Sequence, residues 1–177
     1  LERVSCDEAL GRVLGEDVVL AGDMPAFDNS AMDGWAVRAA DLAGDPPYTL
    51  RVVAGESRAG APLGAPLAAG ECARIFTGAP VPAGADAVVM QEYAAREGDV
   101  LLVEKSTTPG QHVRRAGSDA RAGSVVLRAG VRVGPTQVAG LYAADRARVT
   151  VRRAPAVTVL STGDELREPG EGARFGS

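Results

Sequence analysis

The chain has 177 residues, is 46% hydrophobic and 24% charged, and carries a formal net charge of −4 with a sequence pI near 5.1. That length builds one or two compact domains with a real core, and that composition excludes an intrinsically disordered chain. The acidic balance excludes nucleic acid as the main partner, because neutralising phosphates needs a basic face.

No apolar run is long enough to span a bilayer and no secretory leader is visible, so no membrane partner and a cytoplasmic setting are expected. The two cysteines, Cys6 and Cys72, lie far apart and outside any Cys-x-x-Cys spacing. That leaves zinc and redox motifs unsupported and fits a reducing compartment. Lys105 is the only lysine and His112 the only histidine. The arginine bias runs along the whole chain, so it reads as genome composition rather than as selection for oxyanion contacts. The sequence opens at Leu1 and stops in mid-pattern at Ser177, so a fragment of a longer polypeptide is expected.

Ser5-Cys6-Asp7-Glu8 has the form of a capping box, and Ala9, Leu10, Val13 and Leu14 continue it as a short helical stripe ending at Gly15. Asp17–Ala21 reads as a short strand. From Tyr48 to Val126, short β-branched runs alternate with Gly and Pro. Tyr48–Val53, Cys72–Phe76, Ala87–Met90 and Val100–Val103 read as strands of a small barrel or sandwich. Residues 123–133 read as a hairpin. Gly134-Pro135 opens a helix with proline at its first position, running to about Ala144 and stopped by Asp145. Val149–Val151 is a further strand. Ala156–Leu160 is apolar without alternation, the pattern of a strand buried on both faces of a parallel sheet; with no such sheet to enter, it is expected to be an edge with its apolar surface exposed or to pair with another chain. The polar run Ser161–Glu165 then leaves its carboxyl end, where open α/β sheets bind ligands.

A single histidine leaves nucleophilic triads and metal–histidine spacings unsupported. Residues 78–84, GAPVPAG, lack the spacing and the Lys of a phosphate loop, although Thr77 and Gly78 could donate to an oxyanion. What remains is oxygen: Asp28, Asn29, Ser30 and Asp33 in one loop, Asp119 after Arg114 and Arg115, and Asp164 with Glu165. Such groups suit Mg²⁺ best among common metals. Each also has a plain structural reading: an Asx turn at 28–30, core packing for Met32 and Trp35, a helix cap at Asp164.

Phe27–Gly34, FDNSAMDG, resembles the signature of the molybdopterin molybdenumtransferases, the MoeA and gephyrin E-domain family. Three further blocks resemble it in order: Arg74–Pro82, Ala87–Glu92 and Ser161–Leu166. The resemblance implies an α+β, β-rich multidomain fold. An elongated linking domain would comprise residues 1–25 and 120–153, with a small barrel- or sandwich-like β-domain inserted at 26–119. Residues 154–177 would be the truncated start of a molybdopterin-binding α/β domain.

It also implies a reaction, the last step of molybdenum cofactor synthesis. Adenylylated molybdopterin is bound, AMP is released and molybdate is placed on the dithiolene, assisted by Mg²⁺. By motif, Asp33 and Glu165 become the catalytic carboxylates and metal ligands. Asn29, Ser30, Thr77, Gly78, Arg114, Asp119 and Asp164 become substrate contacts, and Phe27, Met32 and Trp35 the apolar anchors of the first loop. The resemblance further implies a homodimer in which Asp33 of one subunit faces Glu165 of the other. The 177-residue chain by itself is expected to be inactive. A non-catalytic binding or scaffolding module of the same family is the alternative. Trp35 stands where the family has Tyr, and the Arg114–Asp119 stretch, RRAGSD, has one cation and one carboxylate fewer than the family pattern.

Overall fold

The computed structural model describes residues 1–163, 166, 167 and 170. The chain begins with β1 (Glu2–Ser5). Ser5 and Glu8 do make the reciprocal contacts of a capping box: the Ser5 N–H donates to Glu8 Oε2 at 2.9 Å, and the Glu8 N–H donates to Ser5 Oγ at 3.3 Å. The expected helix over 9–14 does not follow. One turn forms, with the Ala9 N–H on the Ser5 carbonyl at 3.1 Å, and Gly11 then turns left-handed at φ 80°. The backbone of Leu14 is instead drawn into a ladder, donating to Val131 O and accepting from Gly130 N, both at 2.9 Å. One local turn contributes few hydrogen bonds, and the non-local pairing overrides it.

The remaining elements are β2 (Val18–Val19), β3 (Asn29–Ser30), β4 (Gly34–Val37), β5 (Tyr48–Ser57), β6 (Glu71–Ile75), β7 (Ala87–Met90), β8 (Ala94–Glu97), β9 (Val100–Val103), β10 (Val113–Arg114), β11 (Val125–Leu127), α1 (Pro135–Ala143) and β12 (Arg148–Val151). Strands β4 to β9 form a six-stranded sheet in the order β7-β4-β6-β5-β9-β8. Its pairings are antiparallel except β5 with β6. Gly55, at φ 90°, breaks the register of β5 against β6 and bends the strand there. Both faces are covered, which is why β4 is buried at all four residues. Trp35, Val37, Tyr48, Leu50, Leu101 and Val103 fill one face. Ala36, Leu67, Ala73, Ile75, Ala79 and Val88 fill the other.

A separate core joins the two ends of the chain: Cys6, Ala9, Leu14, Val18 and Leu20 pack with Val133, Leu141, Ala144, Val149 and Val151. β1 pairs with β12, and β2 with β11. The hairpin expected over 123–133 is therefore absent, since β11 and the segment around Val131 each pair with an N-terminal partner. The helix does form. The Gly134 N–H donates to Gln137 Oε1 at 3.0 Å, and Asp145 ends the helix in a left-handed conformation at φ 55°.

Ala156–Leu160 does not form the expected strand, but its apolar surface is exposed as expected of a segment with no sheet to enter: Val157, Val159 and Leu160 are each about four-fifths exposed, at 79%, 84% and 84%. No neighbouring strand is present among the described residues to accept its ladder. Both cysteines are free and buried, and burial pushes the Cys72 thiol up to about 12, so it is inert. Among the described residues no helix is long and apolar enough to cross a membrane.

Candidate functional site

The geometry around Asp33 follows from two neighbouring strands. β4 lies between β6 and β7, and Gly34 opens it directly against the Val89 carbonyl, where an added Cβ would stand 2.0 Å from the oxygen. Asp33 is thereby held at the entry of a central strand. Gly34 pairs with Ile75 of antiparallel β6, so the residues just past β6 return beside Asp33. Thr77 is there. Its N–H and its hydroxyl both donate to Asp33 Oδ1, each at 2.8 Å.

The loop after Thr77 is zipped to the loop before Asp33. The Gly78 N–H donates to Ser30 O at 2.8 Å, the Ser30 N–H to Ala79 O at 3.0 Å, and the Val81 N–H to Asp28 O at 3.0 Å. The Ser30 hydroxyl closes a turn onto Met32, donating to its carbonyl at 2.5 Å and accepting from its N–H at 3.2 Å. The oxyanion donors expected at Thr77 and Gly78 are consequently already engaged: both donors of Thr77 hold Asp33, and the N–H of Gly78 holds Ser30.

β10 brings in the third segment by pairing with β3, which sets Arg114 opposite Asn29. Arg114 pairs with Asp119 at 2.6 Å, and Arg115 with Asp28 at 2.5 Å. Asn29 is buried. Its amide nitrogen donates to Phe27 O at 3.2 Å, while Oδ1 has no partner among the described residues. The structure thus gathers Asn29, Ser30, Asp33, Thr77, Gly78, Arg114 and Asp119 into one bonded patch. Asp164 and Glu165 lie outside the described residues.

Of the three expected anchors only Trp35 is buried. Phe27 and Met32 are exposed, at 47% and 37%. Hydrogen bonds to residues 77–81 and 112–116 hold the loop, so it needs no apolar plug. The sequence reading also missed Arg74, although it heads one of the matched blocks. Its guanidinium lies over Trp35 and Phe76, at 5.6 and 4.8 Å from the ring centres. It donates to Gly34 O at 3.1 Å and to Gln91 Oε1 at 2.7 Å, and the Gln91 N–H donates to Asp33 O at 3.2 Å. Arg74 therefore braces the backbone on both sides of Asp33. Asp28 was read as an oxygen ligand of the loop or a turn residue, yet it ties residues 115 and 116 to the loop. A charge pair so distant in sequence has no local signature.

The Thr77 N–H and hydroxyl hold the Asp33 carboxyl below its usual range, with Arg74 adding to the effect. The Ala116 N–H, and then Arg115, do the same for Asp28. Asp33 is thus ionised at neutral pH, with Oδ1 committed and Oδ2 without a hydrogen-bond partner among the described residues. No group of three or more His, Cys, Asp or Glu among the described residues could cage a metal. Mg²⁺ keeps several waters and takes one or two carboxylates plus substrate phosphates, so a single open carboxylate oxygen fits it as one ligand.

The sequence profile of the family described as "MoeA N-terminal region (domain I and II)" matches residues 1–144. The molybdopterin molybdenumtransferase of Haemophilus influenzae is 40% identical over 176 residues, covering 99% of this chain and 43% of its own length. Molybdopterin molybdenumtransferase 2 of Mycobacterium tuberculosis is 44% identical over 170 residues, covering 94% and 42%. The crystal structure of the molybdopterin biosynthesis moeA protein from Pyrococcus horikoshii superposes with a TM-score of 0.86 at 37% identity, covering 98% of this chain and 45% of that one. The chain spans less than half the length of these relatives. With a matched profile over its first 144 residues and relatives of this identity, the chain belongs to the MoeA family, as its N-terminal region.

Proposed function

We propose that this chain works as the N-terminal portion of a molybdopterin molybdenumtransferase. It would serve the step in which adenylylated molybdopterin loses AMP and molybdate is placed on the dithiolene. The observation that carries this reading is Asp33, an ionised carboxylate with one oxygen locked by Thr77 and the other open. Asp33 Oδ2 would hold Mg²⁺ together with Glu165. When bound, the ion supplies positive charge at the phosphoanhydride oxygens. Thr77 and Arg74 keep the carboxylate oriented, so that little reorganisation is needed at the moment of reaction. Asn29, Ser30 and Gly78 shape the loop, while Arg114 and Asp119 form its charged rim.

In the same reading the linking domain comprises residues 1–25 and 120–153, the inserted β-domain 26–119, and the start of the pterin-binding domain 154–177. The division is supported by the separate core that joins the chain's two ends. The working enzyme is a cytoplasmic homodimer with Asp33 of one subunit facing Glu165 of the other. The chain of 177 residues alone gives no turnover.

The test is AMP release from adenylylated molybdopterin by the full-length protein carrying Asp33→Asn. We expect a loss of about a hundredfold or more in kcat, since removal of one preorganised electrostatic group typically has that effect. Unchanged AMP release would leave the chain as a binding or scaffolding module.

A further inference from the structure

The only lysine and the only histidine of the chain line the same cleft. It encloses about 250 Å³ on the far side of β7, between Val88–Met90 and Tyr93 on one wall and Lys105–Thr107, Gln111 and His112 on the other. In a protein with 23 carboxylate side chains, none among the described residues lines this cleft. Lys105 forms no ion pair among the described residues. Its ammonium rests 4.5 Å from the centre of the Tyr93 ring, which holds the charge at the cleft without neutralising it.

The amide of Gln111 is oriented by its neighbours. Its oxygen accepts from the Thr107 hydroxyl at 3.0 Å, the Thr108 N–H at 3.2 Å and the Thr108 hydroxyl at 3.4 Å. Its nitrogen, a donor, is left facing His112 Nε2 at 3.4 Å. The cleft is therefore lined by donor-bearing side chains, Lys105, Gln111 and Ser106, with His112 beside them. Such a set of donors without a competing carboxylate recognises an anion.

His112 is held at φ 57°, a left-handed conformation uncommon for a residue other than glycine, and such backbone conformations concentrate at functional sites. The same residue reaches the Asp33 loop, because its carbonyl accepts the Ala31 N–H at 2.9 Å. On the other wall, Val88 donates to Gln111 O at 3.0 Å.

We infer that this cleft binds an oxyanion of the phosphate type, with Lys105 as its cation and Gln111 and Ser106 as its hydrogen-bond donors. The inference goes beyond the reaction proposed above and does not depend on it. The anion's source is either a free inorganic ion or the phosphate of a phosphate ester, whose apolar body would lie on Met90 and Tyr93. Occupancy would be felt at Ala31 through His112.

The experiment is calorimetric titration of the protein with inorganic phosphate and with AMP at constant ionic strength, for wild type, Lys105→Gln, Lys105→Arg and Asp33→Asn. Lys105 is exposed, so its variants keep the fold. We expect saturable binding that Lys105→Gln weakens by about tenfold or more, as loss of a charged hydrogen bond does. Lys105→Arg should retain it, and Asp33→Asn should leave it unchanged. Binding of AMP with the same dependence on Lys105 makes the ligand an ester, and binding of phosphate alone makes it the free ion; either supports the site. Absence of saturable binding by both ligands overturns it. So does equal affinity in Lys105→Gln, or binding lost in Asp33→Asn instead. Because no turnover is read, these outcomes leave the proposed reaction to its own assay.

Discussion

The sheet region and the region that joins the chain ends are built in opposite ways. The sheet draws its six strands from one continuous stretch, residues 34–103, and fills a core on each face. The other region is assembled from residues 2–24 and 120–151, with strands as short as two residues and one helix over a single core. The seam is visible: the Met24 N–H donates to Ala120 O at 2.8 Å, and the Asp119 N–H donates to Met24 O at 2.9 Å. The contrast teaches that the sheet is the platform for the Asp33 loop. The second region joins segments about a hundred residues apart, so it carries the larger loop-closure cost.

The strongest way to break this comparison is Gly34→Ala. The new Cβ would stand 2.0 Å from the Val89 backbone oxygen of edge strand β7, and the two strands cannot separate there without losing the β4–β7 ladder. We expect a loss of about 4 kcal/mol or more, or failure to fold, measured by urea denaturation. A loss under about 1 kcal/mol would mean that the sheet is not the rigid platform described.

Next in size is Leu141→Ala, which empties a fully buried site in the two-ended core. We expect a loss of about 3 kcal/mol. Trp35, the only tryptophan, reports the sheet alone. If the two regions are independent, far-ultraviolet dichroism loses the helix at lower urea while the Trp35 fluorescence midpoint stays put. A shared shift in both probes would merge them into one cooperative unit.

A smaller effect separates the Asp33 loop from its platform by pH. Asp28 and Asp33 both titrate below the ordinary 3.8 in the folded chain. The stabilisation they provide is complete above that value and is lost as pH falls through the lower folded values. The amide resonances of Thr77 and Ala116 should move together in that acidic window while those of β4 to β7 hold. Asp33→Asn should abolish the movement at Thr77 alone.

The smallest effect is expected for Arg114→Gln. Its partner Asp119 is 48% exposed, and a solvent-exposed pair is worth roughly 0.5 kcal/mol or less. A thermal midpoint lowered by more than a degree or two would give this rim pair a structural role that its exposure does not suggest.

The Asp33 loop was legible in the sequence because its motif is contiguous and chemically specific, and Thr77 and Gly78 were legible for the same reason. Strands β6, β7 and β9 were legible because each is a short run with apolar residues that follows a Gly-containing turn, at Gly70, Gly84 and Gly98. The strand β8 was not, since Ala94–Glu97 is polar and exposed and pairs only with β9. β1 was hidden beneath a genuine capping box at its last residue, because Ser5 serves both the strand and the turn.

What the sequence determined alone is local chemistry. It set the turn residues, the proline-opened helix with its left-handed Asp145, the apolar runs and the oxygen-rich loop, each depending only on neighbours a few residues away. Tertiary structure alone decided the partners. Leu14 joins Val131 rather than a helix, and β11 joins β2 rather than a hairpin. Thr77 spends both its donors on Asp33, and Arg74 braces that residue from a stack of aromatic rings. Those outcomes were settled by competition among backbone groups distant in sequence, and the pairing that buried the two cores prevailed over what each segment would have formed by itself.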